Sequence, residues 1–340
     1  MIVSFYDKEF KGLQNNASLT VDKASYKLVK RPVELNDLSC TCEPFTENIQ
    51  PTFLVISDDL GRYVYGSLAG IPLLNEENKT EINGTDLKSM LSSDVILETG
   101  TFANVNEIIT YIFNQWNIQV NQNSFTCELL FNDNVGTVAI KDLTPAYTKE
   151  VYNAWEEMQS YLKVYDLFLD TRIDLVNKKV QFIVGKTMYR KLNIKLWEYG
   201  IKNYGKWVAD VNECQGYYVD ENGNWDEENS IKWILTSQND ITTSESNRDI
   251  YPIKRRIITN NESSLKANTE ALTTLLDALY NENIELPTTN IIADFETRFE
   301  VYVNKGEEKY KDLPCGELHY DASGLIKVQI GYRFTGVDFI

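Results

Sequence analysis

The sequence contains one histidine, His319, and this limits the catalytic chemistry available to it. A serine triad needs a histidine beside a nucleophile motif such as Gly-x-Ser-x-Gly, and a His-Glu-x-x-His zinc site needs two histidines. His319 lies in an alternating stretch between Leu318 and Tyr320, and no nucleophile motif accompanies it. We predict a packed or surface strand residue, with general-base catalysis as the alternative.

The cysteines could bind a metal only if their spacing supplied enough ligands. The five are Cys40, Cys42, Cys127, Cys214 and Cys315. An odd number scattered along a long chain argues against a disulfide framework. Cys40 and Cys42 could form half of a metal site, but no second close pair completes four ligands. We predict free, buried thiols, with the Cys40 and Cys42 pair at a strand edge, and no metal.

An acidic run between residues 220 and 229 has side chains of the kind that bind calcium. Its order, Asp-Glu-Asn-Gly-Asn-Trp-Asp from Asp220, does not meet the spacing of an EF-hand loop. The turn Asn222-Gly223 instead predicts a solvated hairpin loop, and ion binding stays the alternative. The 50 acidic residues also make any choice of a glycosidase carboxylate pair arbitrary.

Charge and glycine spacing argue against nucleic-acid and nucleotide binding. The chain has 33 basic and 50 acidic residues, a net charge of −17. Its basic cluster, Lys254-Arg255-Arg256, is too small for phosphate recognition on an acidic chain. Gly185-Lys186 and Gly205-Lys206 lack the upstream glycine and following helix of a P-loop. We predict no catalytic, cofactor or metal site, and ion pairs or a subunit contact for the basic cluster.

The elements around these residues predict an α+β protein of several domains. At 340 residues the chain exceeds one ordinary domain. It begins without a signal peptide and has no membrane-spanning apolar run, so we expect a protein made in the cytoplasm with no membrane insertion. The pattern predicts a β-rich domain over 1–80, an α+β domain over 81–190, a second β-rich domain with a late helix over 191–290, and a C-terminal β segment over 291–340.

Helix signals occur at four places. Asn104 with Glu107 forms a capping box before an apolar stripe, which predicts a helix over about 104–116. Thr144-Pro145 predicts the start of a helix over about 146–164. Thr85 is predicted to cap a single turn, and a leucine stripe predicts a helix from Ser263 to Asn283.

Strand signals predict three pairs of neighbouring strands. A turn at Asp58–Gly61 indicates a hairpin between 53–56 and 62–65. The stretch 127–131 is predicted to pair with 135–140, and 167–175 with 179–184. Further strands are expected over 204–211, 215–219, 231–236 and in the tail after Phe295.

Several stretches resemble the baseplate hub or tail-tip proteins of long-tailed phages and prophages, the family related to the N-terminal hub part of tail-associated lysins. They are Leu54-Val-Ile-Ser-Asp-Asp-Leu-Gly-Arg-Tyr-Val-Tyr-Gly, the segment from Thr80 to Leu97, Tyr251-Pro-Ile-Lys-Arg-Arg, the helix from Ser263, Asp312-Leu-Pro-Cys-Gly-Glu, Asp321-Ala-Ser-Gly and Gly331-Tyr-Arg-Phe-Thr-Gly-Val-Asp-Phe. The resemblance spans most of the chain, although its motifs are structural and diffuse.

The resemblance implies a homotrimeric hub in the virion tail. Each chain would contribute two tail-tube-like β-barrels joined to an inserted α+β domain, and the trimer would dock on the distal tail ring. Genome DNA would pass through without specific binding. Many relatives continue into a cell-wall endopeptidase, whereas this sequence ends at Ile340 after the hub-like part. We expect a structural protein, with a peptidoglycan-degrading enzyme as one alternative and a carbohydrate-binding module as another.

Overall fold

The structure is a computed structural model that describes residues 1–13, 18–46, 50–98, 100–122, 124–140, 147, 149–187, 190–201, 211–237, 240–280, 284–287 and 293–331. Strands predominate in these ranges, and helices are few. No helix in them is both long and apolar enough to cross a membrane. The described part of the chain is thus mostly β with few helices, in agreement with the coarse prediction of an α+β protein rich in strands.

The first β-rich part is a run of antiparallel strands. They are β1 (Ile2–Tyr6), β2 (Leu19–Thr20), β3 (Lys27–Lys30), β4 (Asp37–Cys42), β5 (Phe53–Ser57), β6 (Tyr63–Leu68), β7 (Leu73–Leu74) and β8 (Thr80–Thr85). Their order in the sheet is β3-β4-β8-β6-β5-β1-β2, with β7 beside β8. The predicted hairpin between β5 and β6 is confirmed, and Gly61 takes the left-handed φ of 75° that its turn requires.

Strand β2 also lies beside the end of β4. Val21 forms a β-bridge with Cys42, Asp22 N donates to Thr41 O at 2.8 Å, and Glu43 N donates to Thr20 O at 3.1 Å. The side chains between these strands form one apolar cluster that includes Val3, Leu38, Ile56 and Tyr65. The alternation of apolar residues along the strands therefore predicts which side of the sheet is buried.

The middle of the chain contains helices and short sheets. Its elements are β9 (Asp94–Leu97), α1 (Val105–Trp116), β10 (Thr126–Phe131), β11 (Glu150–Asn153), α2 (Ala154–Val164), β12 (Leu167–Asp174) and β13 (Lys179–Lys186). Strand β13 pairs antiparallel with β12, as predicted, and parallel with β10. Helix α1 is confirmed with its cap, since Glu107 N donates to Asn104 Oδ1 at 3.0 Å.

The start predicted for the second helix is wrong. Residues 150–153 form β11, which pairs antiparallel with β9, and α2 begins at Ala154. Asn153 caps it by accepting hydrogen bonds from Trp155 N and Glu156 N at 3.1 and 3.2 Å. The proposed start at Thr144-Pro145 lies outside the described residues.

Two other local predictions are also corrected. Residues 135–140 form no strand, and the strand that β10 pairs with among the described residues is β13. Val138 O instead accepts a hydrogen bond from Val105 N at 2.9 Å, at the start of α1. The turn over Leu87–Leu91 is a 3-10 helix capped by Asp86, whose Oδ1 accepts from Lys88 N at 3.1 Å, and not by Thr85.

The second half contributes strands to two sheets. Its elements are β14 (Arg190–Lys195), β15 (Glu213–Tyr218), β16 (Lys232–Leu235), β17 (Ile241–Thr242), β18 (Arg255–Asn260), α3 (Ser264–Tyr280), β19 (Ile284–Pro287), β20 (Thr297–Tyr302), β21 (Lys311–Asp321) and β22 (Gly324–Ile330). Strands β14, β20, β21, β22 and β19 continue the large sheet, since β21 pairs with β3. Strands β15–β18 form a separate sheet. The strand predicted at 204–211 lies outside the described residues except for Val211.

Helix α3 packs against the separate sheet through a glycine. A Cβ at Gly216 on β15 would come within 2.4 Å of the Ala267 backbone oxygen on α3, so only glycine permits this approach. The helix predicted from Ser263 is confirmed as far as Tyr280. Its apolar side chains join those of α1 and α2 in the largest core of the described residues. The domain boundaries at 80, 190 and 290 stay a prediction.

Candidate functional site

Cys40 and Cys42 lie on the same face of β4 and are both buried in the first β core. Strand β4 lies between β3 and β8, so the pair is not at a strand edge as predicted. Burial raises the pKa of each thiol to about 12, which keeps both protonated and unsuited to metal binding at neutral pH. Across the described residues, no group of three or more His, Cys, Asp or Glu side chains is arranged to hold a metal ion.

His319 lies on β21 beside two charged side chains. Its Nε2 is 2.8 Å from Glu317 Oε2, and Glu317 Oε1 accepts a hydrogen bond from Arg31 Nε at 2.9 Å. Arg31 also reaches Asp37 Oδ2 at 2.8 Å. The histidine is therefore part of a polar group where β21 meets the first β-rich part. That it has no catalytic role stays a prediction.

The acidic loop uses its carboxylates for its own turns. Asp220 Oδ1 accepts from Asn222 N and Asn224 N at 2.9 and 2.8 Å, and Gly223 takes a φ of 82°. Asp226 Oδ2 accepts from Ser264 Oγ at 2.7 Å, which ties the loop to the start of α3. These bonds are those of a hairpin loop held by Asx turns.

The basic cluster forms ion pairs, one of the two roles predicted for it. Arg255 and Arg248 both contact the buried carboxylate of Glu213, and Arg248 Nε lies 2.9 Å from Glu245 Oε2. Burial alone would raise the pKa of Glu213, but hydrogen bonds from the two arginines outweigh burial and lower it. Gly185-Lys186 ends strand β13, where Gly185 faces Phe168, and Gly205-Lys206 lies outside the described residues.

A buried lysine joins the first β-rich part to the 3-10 turn. Lys88 is fully buried, and its Nζ donates to Arg31 O at 2.9 Å and to Glu34 O. Its Nζ also lies 3.4 Å from Asp86 Oδ2. These contacts satisfy carbonyls in the loop between β3 and β4, so the group has a structural role.

An apolar surface lies around β7. Ile71, Leu73 and Leu74 are exposed by 68, 63 and 53%, and we call these three residues the β7 surface. They follow one another on the loop between β6 and β8, and β7 pairs with β8. A run of exposed aliphatic side chains of this kind is typical of a protein contact.

A cleft of about 170 Å³ lies between α2 and α3, and we call it the α2–α3 cleft. It is lined by Tyr147, Glu150, Tyr152, Glu157, Ser160, Tyr161, Val164, Tyr165, Glu262, Ser263, Leu265, Lys266, Thr269, Glu270 and Thr273. The Tyr147 and Tyr152 rings are 5.3 Å apart in a T-shaped arrangement, and the Tyr147 and Tyr161 hydroxyls are 3.3 Å apart.

Burial shapes the electrostatics of this cleft. Burial raises the pKa of Glu157 to about 7 against the opposing effect of Lys266, and it also raises the pKa of Glu270. Glu270 Oε1 accepts a hydrogen bond from Asn260 Nδ2 at 2.9 Å. Lys266 Nζ lies 2.7 Å from Glu262 Oε2 at the rim.

The sequence pattern does not reveal this cleft, because Tyr161 and Tyr165 fit the apolar stripe of a helix. One signal was present: Glu157 lies four residues before Tyr161 and thus on the same side of α2. The partner helix, α3, is about 100 residues farther along the chain, and no local pattern reveals that contact.

Comparisons with proteins of known structure show which folds this chain resembles. No protein-family model matches the sequence, and neither does any curated protein. The prophage tail protein gp18 from Listeria monocytogenes EGD-e matches with a TM-score of 0.58 at 13% identity, over 99% of this chain and 96% of that chain. The tail protein from Neisseria meningitidis MC58 matches with a TM-score of 0.50 at 9% identity, over 97% of this chain and 96% of that chain. The resemblance to phage tail proteins predicted from the sequence is therefore confirmed at the level of the fold.

Proposed function

We propose that this protein is a structural component of a phage or prophage tail, and more specifically a hub at the tail tip. The observation that carries the proposal is the match to the Listeria prophage tail protein, which extends over 99% of this chain. A match of that extent includes the β-rich parts and the helical part together. The proposed location is the virion tail.

Each β-rich part would form one tail-tube-like barrel. Support in the first part comes from the backbone contacts of Val21 and its neighbours with β4. These contacts bring β2, at one end of the sheet order, beside β4 near the other end, as closure of a barrel requires. In the second half of the chain, β14 and β19 of the predicted second β-rich domain and β20, β21 and β22 of the predicted C-terminal segment surround one apolar cluster. It includes Phe299, Leu313 and Val328. The pairing of β21 with β3 would fix the two barrels to each other.

Two tube-like units per chain require three chains to match a sixfold tail tube. We therefore propose a homotrimer that docks on the distal tail ring. The β7 surface is the proposed contact with a second copy, because it is apolar, exposed and next to a strand of the first β-rich part. Neighbouring tail-tip proteins complete the proposed set of partners.

The trimer is tested by light scattering at micromolar concentration, with and without the distal tail protein. We expect three copies of this chain per particle, in at least the sample with the partner, where the measured mass also includes the bound distal tail protein. The double variant Leu73→Glu/Leu74→Glu is expected to remain folded and monomeric, since charges on an exposed surface oppose apolar contact but leave the core intact. The matched control is Val176→Glu, at a turn residue that is 90% exposed. A stable dimer in both samples would contradict the hub.

We further propose that the protein has no cell-wall-degrading activity. Support comes from His319, which lies on a strand of the large sheet, where it pairs with Glu317 and Glu317 pairs with Arg31, and which has no nucleophile motif around it in the sequence. Peptidoglycan zymography is expected to show no clearing band. A band that disappears in His319→Ala would favour the enzyme alternative.

A further inference from the structure

The α2–α3 cleft combines aromatic rings with carboxylates. Tyr161 and Tyr165 line it from α2, and Tyr152 lines it from β11. Glu157 on α2 and Glu270 on α3 line opposite walls. Tyrosine faces attract cations through their quadrupole, and carboxylates attract them through charge.

The charges that line the cleft have an acidic excess. Glu150, Glu157, Glu262 and Glu270 are accompanied by one lysine, Lys266, among the described lining residues. That lysine pairs with Glu262 at the rim. A cleft lined mainly by one sign of charge concentrates the opposite sign, so a positive ligand is favoured over a neutral or negative one.

We propose that the α2–α3 cleft binds a small organic cation with a substituted ammonium head group. Its volume of about 170 Å³ is close to the ~150 Å³ cavity that accommodates a benzene-sized molecule. That size fits a choline-like head group. The tyrosine rings would contact the methyl groups, and Glu157 would supply the counter-charge.

The proposed ligand would also supply a counter-charge for the carboxyl that is buried between α2 and α3. Glu157 faces Lys266 on α3, Glu262 in the turn before α3, Glu156 on its own helix, and the Tyr147 hydroxyl. Burial and the two glutamates favour its neutral form, whereas Lys266 and Tyr147 favour the charged form. A bound cation would favour the ionised carboxylate, so binding should be tighter at pH 8 than at pH 6.

The test is isothermal titration of the full chain with choline chloride at pH 8 and constant ionic strength. Dimethylbutanol, the uncharged isostere in which carbon replaces nitrogen, is the matched ligand control. We expect choline to bind the wild-type protein at least about tenfold more tightly than the isostere, as expected for a cation beside aromatic rings and a carboxylate.

Two isosteric variants test the residues. Glu157→Gln and Glu270→Gln, each checked for folding by circular dichroism, should weaken choline binding by about tenfold in the first case and by less in the second. Glu227→Gln, in the exposed acidic loop, should bind as the wild type does. Absence of choline binding to folded wild-type protein, equal affinity for the isostere, or unchanged affinity in Glu157→Gln would each overturn the proposal. None of these outcomes depends on the oligomeric state, so they test the cleft separately from the tail function.

Discussion

At the residue scale, the structure buries charges that the sequence presents as ordinary surface residues. Lys88 lies in a predicted helical turn where a lysine would usually face solvent, yet it is fully buried. Burial lowers the pKa of Lys88, and the charge of Asp86 opposes that effect. Its partners Arg31 and Glu34 are more than 50 residues away, so no local pattern could predict the burial.

The cysteines show the opposite case, in which residue type was informative. Free thiols were predicted from an odd cysteine count, and all five cysteines are free. The position of Cys40 and Cys42 inside the sheet was not predicted, because it depends on which strands flank β4. The number of cysteines therefore predicts that the thiols are free, whereas the tertiary contacts of β4 determine where in the sheet Cys40 and Cys42 lie.

The pKa values of two carboxyls between α2 and α3 predict how the stability of the protein changes with pH. Burial raises the pKa of Glu157 and of Asp277 to about 7, with Lys163 opposing the effect at Asp277. A carboxyl with a higher pKa in the folded state takes up a proton on folding. The stability that each carboxyl contributes is therefore fully present below its unfolded-state pKa of about 4. It is lost as the pH rises through the folded-state pKa of about 7.

Glu157→Gln should consequently raise the free energy of unfolding relative to wild type at pH 8, by roughly 1–2 kcal/mol after allowance for solvent screening. At about pH 3 the difference should be close to zero, because the glutamate is then almost fully protonated in both states. Urea denaturation at the two pH values measures this. Glu227→Gln, at an exposed loop position, is the control and should change little at either pH. A Glu157→Gln protein less stable than wild type at pH 8 would contradict the burial of an ionisable carboxyl here.

At the element scale, the elements with local signals were predicted best. The cap of α1 lies within four residues, and the turn between β5 and β6 lies within five. Strands β12 and β13 are also joined by a short turn. Each of these can form from contacts close in sequence, so a local pattern is sufficient.

The elements that failed have distant partners. Strand β11 was predicted as helix because its apolar residues continue the stripe of α2, but its backbone pairs with β9 more than 50 residues earlier. Likewise β10 pairs parallel with β13 across the intervening α2. Strand formation depends on the partner, and propensity alone cannot supply that information.

At the scale of the whole molecule, the sheet connects distant parts of the chain. Strand β14 pairs with β20 about 100 residues later, and β21 pairs with β3 almost 300 residues earlier. No periodicity indicates these pairings. The family resemblance in the sequence supplied the global expectation, and the match to tail proteins confirms it for the fold.

The net charge of the whole molecule bears on the proposed passage of DNA. A chain at −17 gives a homotrimer of about −51. Such a charge repels phosphates on average, which would let a genome pass without adhering. The basic cluster does not reverse this, because Arg255 is paired with Glu213. Solubility alone could also account for an acidic surface, so the two explanations need a measurement.

We predict that the proposed trimer does not retain double-stranded DNA even at about 50 mM salt, where counterion release favours binding most. Fluorescence anisotropy of a labelled duplex, with the assembled protein at micromolar concentration, measures this. The double variant Lys254→Ala/Arg256→Ala removes two charges of the basic cluster and leaves Arg255, which pairs with Glu213. Its DNA binding should be as weak as that of the wild type. Micromolar binding that weakens steeply with added salt would contradict a non-adhesive passage. If the double variant abolished that binding, the basic cluster would be a phosphate contact, and the acidic composition would serve solubility instead.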